Sequence, residues 1–218
     1  LPVTVVSVGV GFAYGNLGYS HHAVSDIAAM RSLPHMTVLS PADPVETSVC
    51  LRVLVERGGP GYLRLGKAGE AVIGEGRPFD PMSGPAPVVS SPGPLALCAT
   101  GSVLSEAVGA AEALHGDGIR AAVYSCPLLA PTTAETFSVL WSHPFIVTLE
   151  EHVAAGGLGS LLREHAPPGV RIVSLSADRN LIDVVGTQSY LRARHGLTAA
   201  RAAEVCRSLL RHADGGIP

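Results

Sequence analysis

Apolar and polar positions alternate along this chain in blocks of strand and helix length. Pro2 to Val8 is a largely apolar, valine-rich run of strand length. Gly9 to Gly18 is glycine-rich and reads as a loop. Val24, Ile27, Ala28 and Met30 follow at helical spacing, and Pro34 ends that helix. Met36 to Ser40 is a short strand. Asp43-Pro44-Val45-Glu46 opens the next helix with an aspartate cap, proline in the first turn and glutamate three residues after the cap. It runs to about Arg57, where Gly58-Gly59-Pro60 stops it. Gly61 to Leu65 is again a strand.

From Gly66 to Pro94 the alternation stops. Pro78, Pro81, Pro85, Pro87, Pro92 and Pro94 leave little room for helix, and the stretch reads as a linker. Strands are then expected at 95–100, 119–125, 145–149 and 171–175. Helices are expected from Ser102 to about His115, from Thr133 to Trp141, after Gly156-Gly157-Leu158-Gly159, near Gln188 to Arg194, and from Thr198 to Arg211. Strands separated by helices imply βαβ units and mostly parallel sheets. The expected class is α/β. Residues 1–66 form a partial doubly wound sheet, 67–94 a linker, and 95–218 a complete smaller α/β domain. The run at 2–8 reads as a buried strand that needs neighbours. A chain that starts there, at Leu1, is expected to have lost an upstream part.

Composition narrows the function. The 218 residues are 47% hydrophobic and 15% charged, with a formal net charge of -3. That supports a substantial core and gives nucleic acid no basic footprint. No apolar stretch has the length of a membrane span. Cys50, Cys98, Cys126 and Cys206 are scattered without metal spacing, which suits reduced core cysteines and a cytoplasmic setting.

The densest candidate chemistry is Gly15-Asn16-Leu17-Gly18-Tyr19-Ser20-His21-His22. Two histidines after a glycine turn either satisfy backbone groups at a helix start or present titratable groups to a ligand. Spacing alone leaves both open. With Asp26-Ile27-Ala28-Ala29-Met30-Arg31, Leu33-Pro34-His35-Met36-Thr37-Val38, Pro41-Ala42-Asp43-Pro44-Val45-Glu46-Thr47 and Gly59-Pro60-Gly61-Tyr62-Leu63-Arg64-Leu65-Gly66, this segment resembles the pyrimidine-binding domain of transketolases. Ala99-Thr100-Gly101-Ser102, Thr148-Leu149-Glu150-Glu151-His152, Gly156-Gly157-Leu158-Gly159 and the run from Tyr190 to Leu197 resemble the transketolase C-terminal domain. The order and spacing of these pieces carry the resemblance; no single motif is decisive.

The resemblance implies a thiamine-diphosphate enzyme that moves a two-carbon ketol unit from a ketose to an aldehyde, in carbohydrate metabolism. His21 falls where the family has a substrate-facing histidine, able to hydrogen-bond a sugar hydroxyl or carry its proton. His22 is a second substrate candidate. Arg64 falls where an arginine grips a substrate phosphate, although a solvated strand-end arginine is the plainer alternative. Two positions depart from the family: Leu17 stands where an acid is expected, and Gly9 where a further histidine is expected. They favour an unusual acceptor over an ordinary pentose phosphate.

The cluster Glu150, Glu151 and His152 is expected to make hydrogen bonds between domains. Gly156 to Gly159 suits either an anion or close helix–sheet packing. The family's aminopyrimidine glutamate, stacking aromatics and metal-holding Gly-Asp-Gly segment have no copy here. Thiamine diphosphate and Mg²⁺ are therefore expected only in a complete assembly, a homodimer or heterotetramer. The missing N-terminal portion or a partner subunit would carry the diphosphate-binding domain, and a sugar or sugar phosphate would be the substrate. Two alternatives remain: a 2-oxo acid dehydrogenase β subunit or 1-deoxyxylulose-phosphate synthase, and a non-catalytic dimerisation or regulatory module.

Overall fold

The computed structural model describes residues 1–73, 79–181 and 183–214. Part of the expected linker, 74–78 with Pro78, lies outside the described residues, as do Ile182 and the last four positions of the second unit.

The described residues form two sheets. The first is four-stranded and contains β1 (Thr4–Val8), β2 (Thr37–Leu39), β3 (Gly61–Leu65) and β7 (Leu128–Ala130), in the order β1-β3-β2-β7. β1 and β2 both run parallel to β3. The second is five-stranded and contains β4 (Ala86–Val89), β5 (Leu95–Thr100), β6 (Ala121–Ser125), β8 (Phe145–Val153) and β9 (Arg171–Ala177), in the order β4-β6-β5-β8-β9. All its pairs are parallel except β4 with β6. The helices are α1 (Asp26–Arg31), α2 (Pro44–Arg57), α3 (Leu104–Gly116), α4 (Leu158–His165), α5 (Gln188–Arg194) and α6 (Ala199–Asp214).

The helix signals in the sequence act as expected. The Asp43 carboxylate accepts the Glu46 N–H at 2.8 Å, and Glu46 reaches back to accept the Ala42 N–H at 2.9 Å. Two otherwise orphaned donors at the start of α2 are thereby satisfied. Gly58, in the left-handed region, closes the helix by donating to the Leu54 carbonyl.

Four elements differ in part from the expectation. Residues 86–89, assigned to the linker, form a strand of the second sheet; Pro87 is tolerated because β4 is an edge strand. Residues 128–130 form a strand that leaves the second unit and pairs antiparallel with β2 of the first. The helix expected from Thr133 to Trp141 is present as a 3-10 helix, Glu135–Ser142. β1, read as a buried strand that needs neighbours, has Val5, Val6 and Val8 45%, 49% and 57% exposed in this chain.

The core shows how far the two units have merged. Leu95, Leu97 and Ala99 of β5 face α3 and α6, with Val147 and Leu149 of β8 beside them. The opposite face of the same sheet packs Ala96, Cys98 and Ile146 against Leu158, Leu161 and Leu162 of α4, and also against Ile27, Val38 and Tyr62 of the first unit. Alternate residues of a two-sided strand serve two cores, and the second of these is shared. A smaller core of Leu39, Cys50, Leu54 and Leu63 under α2 is completed by Leu128 of β7.

Candidate functional site

The loop carrying the paired histidines leaves the C-terminal end of β1. The Gly9 and Val10 N–H groups donate to the Leu65 carbonyl at 3.0 and 3.1 Å, which fixes the exit. A bridge between Gly11 and Ala23, with the Gly11 N–H 2.9 Å from the Ala23 carbonyl, closes the base. The chain between them forms two 3-10 turns, Gly15–Leu17 and Tyr19–His21, hinged at Gly18. Gly18 has φ 79° and ψ -174°, a conformation essentially restricted to glycine.

The structure separates the two histidines. His21 is exposed, and its Nδ1 lies 3.0 Å from the Ser20 hydroxyl. His22 is 8% exposed, its Nε2 is 3.2 Å from the Gly15 carbonyl, and its ring stands edge-on to Phe12 and Tyr19 at 5.6 and 6.4 Å. The His22 ring thus ties the loop together from inside. Leu17 and Tyr19 flank His21 and are exposed.

Arg64 lies inside the fold. It is 2% exposed. Its Nε donates to Asp26 Oδ2 at 2.8 Å. One terminal nitrogen reaches Asp26 Oδ1 at 3.3 Å, the Ala23 carbonyl at 2.9 Å and the Glu151 carbonyl at 2.9 Å. Tyr62 adds a hydroxyl donor to Asp26 Oδ2 at 2.7 Å. A guanidinium so committed braces β3 against α1 and the end of β8. Burial raises the Asp26 pKa, but Arg64 and these hydrogen bonds outweigh it and hold the carboxyl below its ordinary range. Asp26 had no role assigned from sequence. Its partner Arg64 lies thirty-eight residues away in sequence.

The three titratable residues at the end of β8 serve three ends. Glu150 accepts the Leu158 and Gly159 N–H groups at 2.5 and 3.0 Å, filling the N-terminus of α4 with the chain's own carboxylate. Burial pushes its pKa up to about 7 against the pull of those donors. Glu151 is buried and accepts the Phe12 N–H at 3.2 Å, Arg192 Nε at 2.5 Å, and Gln188 Nε2 at 3.1 and 3.2 Å to its two oxygens. His152 accepts the Ala28 N–H at its Nε2 (3.3 Å), so its Nδ1 carries the proton and donates to the Val153 carbonyl at 2.7 Å. Burial, reinforced by Arg64, lowers the His152 pKa. Glu151 and His152 thus make the interdomain hydrogen bonds expected of the cluster. Arg31 adds another tie from α1, donating to the Gly156 carbonyl at 2.8 Å and to Glu164 at 2.9 Å.

Other partners of the loop were invisible in local sequence. His195 stacks on Phe12 with ring centroids 4.5 Å apart. The Gly186 N–H donates to the Gly15 carbonyl at 3.3 Å.

The glycine-led helix end that resembles an anion cradle is filled by Glu150. Among the described residues no cluster of three or more His, Cys, Asp or Glu could hold a metal ion. Among them, too, no helix is long and apolar enough to cross a membrane.

Comparison with known proteins agrees with this architecture. Residues 1–69 match the transketolase pyrimidine-binding domain and residues 84–167 the transketolase C-terminal domain. The chain is 31% identical, over 89% of its length, to a protein of Phocaeicola vulgatus named as one of the subunits of an apulose-4-phosphate transketolase. It is 30% identical, over 95% of its length, to the protein of the same name from Actinobacillus succinogenes. It spans 63% and 68% of the lengths of these two relatives. A solved structure described as a split-gene transketolase in an inactive beta4 tetramer superposes with a TM-score of 0.81 at 29% identity, covering 94% of this chain and 66% of that one. The chain belongs to the transketolase family, of which it represents the C-terminal part.

Proposed function

We propose that this chain is the C-terminal part, or a separate subunit, of a thiamine-diphosphate-dependent transferase that passes a two-carbon ketol unit from a ketose to an aldehyde. When bound in the complete assembly, the cofactor supplies the carbon–carbon chemistry, and the polypeptide positions the reactants. Cofactor and Mg²⁺ are held by the remainder of the protein or by a partner carrying a diphosphate-binding domain. The relatives named as transketolase subunits, and the split-gene neighbour, support that division. The assembly is a homodimer or heterotetramer acting in cytoplasmic carbohydrate metabolism.

The observation that carries this reading is the His21 loop. It is closed at its base, pinned from inside by Phe12 and His22, and leaves one imidazole exposed at its tip. An imidazole there binds a sugar hydroxyl and holds or moves its proton at Nε2, since Nδ1 faces Ser20. Arg64 is committed internally, so a substrate phosphate would be gripped by groups other than Arg64. Leu17 and Gly9, where an acid and a histidine are expected, favour a specialised acceptor over an ordinary pentose phosphate.

Reconstitution with a diphosphate-domain polypeptide tests the reading. Ketol transfer from a sugar or sugar phosphate should require both chains, and His21→Ala should lower kcat by roughly a hundredfold with stability unchanged. Transfer by this chain alone, or full activity of the His21 variant, would overturn the assignment. Turnover with pyruvate as the only accepted donor would indicate a 1-deoxyxylulose-phosphate synthase or 2-oxo acid dehydrogenase instead. Assembly without turnover would indicate a regulatory module.

A further inference from the structure

We infer that Glu151 is a positioning residue for His21, so that the C-terminal domain sets the geometry of the substrate-facing loop. The inference rests on the function proposed for His21. The Glu151 carboxylate accepts the Phe12 N–H one residue inside the bridge that closes the loop. Gly11, with φ 61°, lets the backbone lie directly on that carboxylate; a Cβ there would strike the Glu151 side chain. The Phe12 ring then stands edge-on to His22, and His22 bonds the Gly15 carbonyl across the loop. His21 is the adjacent residue in the chain. A single path of backbone and ring contacts therefore runs from the end of β8 to the exposed imidazole.

The carboxylate is itself held. Arg192 pairs with it through Nε and is tethered by a terminal nitrogen to the Ser102 hydroxyl at 3.0 Å. Gln188 donates to both carboxylate oxygens. Arg192 and Gln188 both lie on α5, and Leu191 of the same helix lies under Gly15. The clamp thus grips the loop at Phe12 and again at Gly15. A buried carboxylate with an ion-pair partner is more than a glycine-rich turn needs for backbone satisfaction, since an amide oxygen would serve that. What it adds is a fixed register between two sheets.

Two kinds of variant separate positioning from folding. Glu151→Gln keeps an acceptor for the Phe12 N–H. Glu151→Leu combined with Arg192→Met removes acceptor and pair together, leaving no unpaired buried charge. Hydrogen exchange of residues 12–22 in the isolated chain should be unchanged in the glutamine variant. In the folded double variant it should be about tenfold faster, with the centre of β5 unaffected. In the reconstituted assembly the double variant should lose roughly tenfold to a hundredfold in kcat, with KM for the ketose within about twofold. The same pair of substitutions should add no further loss when His21 is already alanine.

Unchanged exchange in the folded double variant, or a full additional loss in the His21→Ala background, would overturn the inference. The exchange measurement needs no activity. A wild-type assembly without ketol transfer would therefore count against the proposed function alone and leave the clamp decided by exchange.

Discussion

The two sheets solve the problem of burial differently. The second covers both faces with its own helices and with the first unit; Leu95, Leu97, Val147 and Leu149 are fully buried. The first has three strands of its own, borrows β7 for one edge, and leaves the valines of β1 in solvent at the other. A strand buried from both sides and an edge strand can carry the same valine-rich sequence; the neighbours decide which it becomes. The first sheet is thus assembled against the second; Glu151 and Arg64 fasten the base of the His21 loop, and His152 holds α1.

The strongest way to break that relation is Arg64→Met, which strands the buried Asp26 carboxylate at the joint. It should cost about 3–5 kcal/mol in denaturant unfolding. A loss below about 1 kcal/mol would show that the joint is not a structural element. Leu97→Ala in β5 should cost about 2–5 kcal/mol, as for any large truncation in a two-sided sheet core. Asp43→Ala should cost about 0.5–2 kcal/mol through loss of the α2 cap, read as a lower melting temperature. At the bottom of the series, Val6→Ala on the open strand should lie within about 0.5 kcal/mol of wild type. A core-sized effect from Val6→Ala would erase the distinction between the sheets.

Acid sharpens the comparison further, because the two units titrate in opposite senses. The folded pKa of Asp26 lies below its ordinary value of 3.8. Its contribution is therefore complete above that value and is lost as pH falls through the depressed one. The folded pKa of Glu150 is raised from 4.5 to about 7, so the folded state holds that proton more tightly. Its contribution is present below 4.5 and fades as pH rises toward 7. Stability profiles should show Asp26→Asn flattening the acid limb and Glu150→Gln flattening the slope between those two values. Identical profiles for both variants would contradict the assignment.

Most of the fold was legible in the chain because its signals are local. The cap at Asp43, the stop at Gly58 and the apolar runs at 61–65, 95–100 and 145–149 each specify an element from within a few residues. What escaped was weakly encoded: β4 lies in proline-rich sequence, and β7 has only three residues and depends on β2 for its existence. Among the site residues, the His21 turn was readable from Gly18 and its neighbours. The brace formed by Arg64 was not readable because its partners, Asp26 and the Glu151 carbonyl, come from other elements.

By itself the sequence determined the α/β alternation, the two successive units, the family resemblance and the glycine-hinged histidine turn. Periodicity, caps and turn residues act over a few positions and need no partner to be recognised. Only the tertiary structure decided which histidine faces solvent, that Arg64 braces a joint, that Glu150 occupies the helix end left open by the glycines, and that Glu151 meets Phe12 across 139 residues of chain. Those outcomes depend on which charges and donors become neighbours after burial. Desolvation makes an unpaired buried group so unfavourable that the nearest available partner claims it, whatever its distance in sequence.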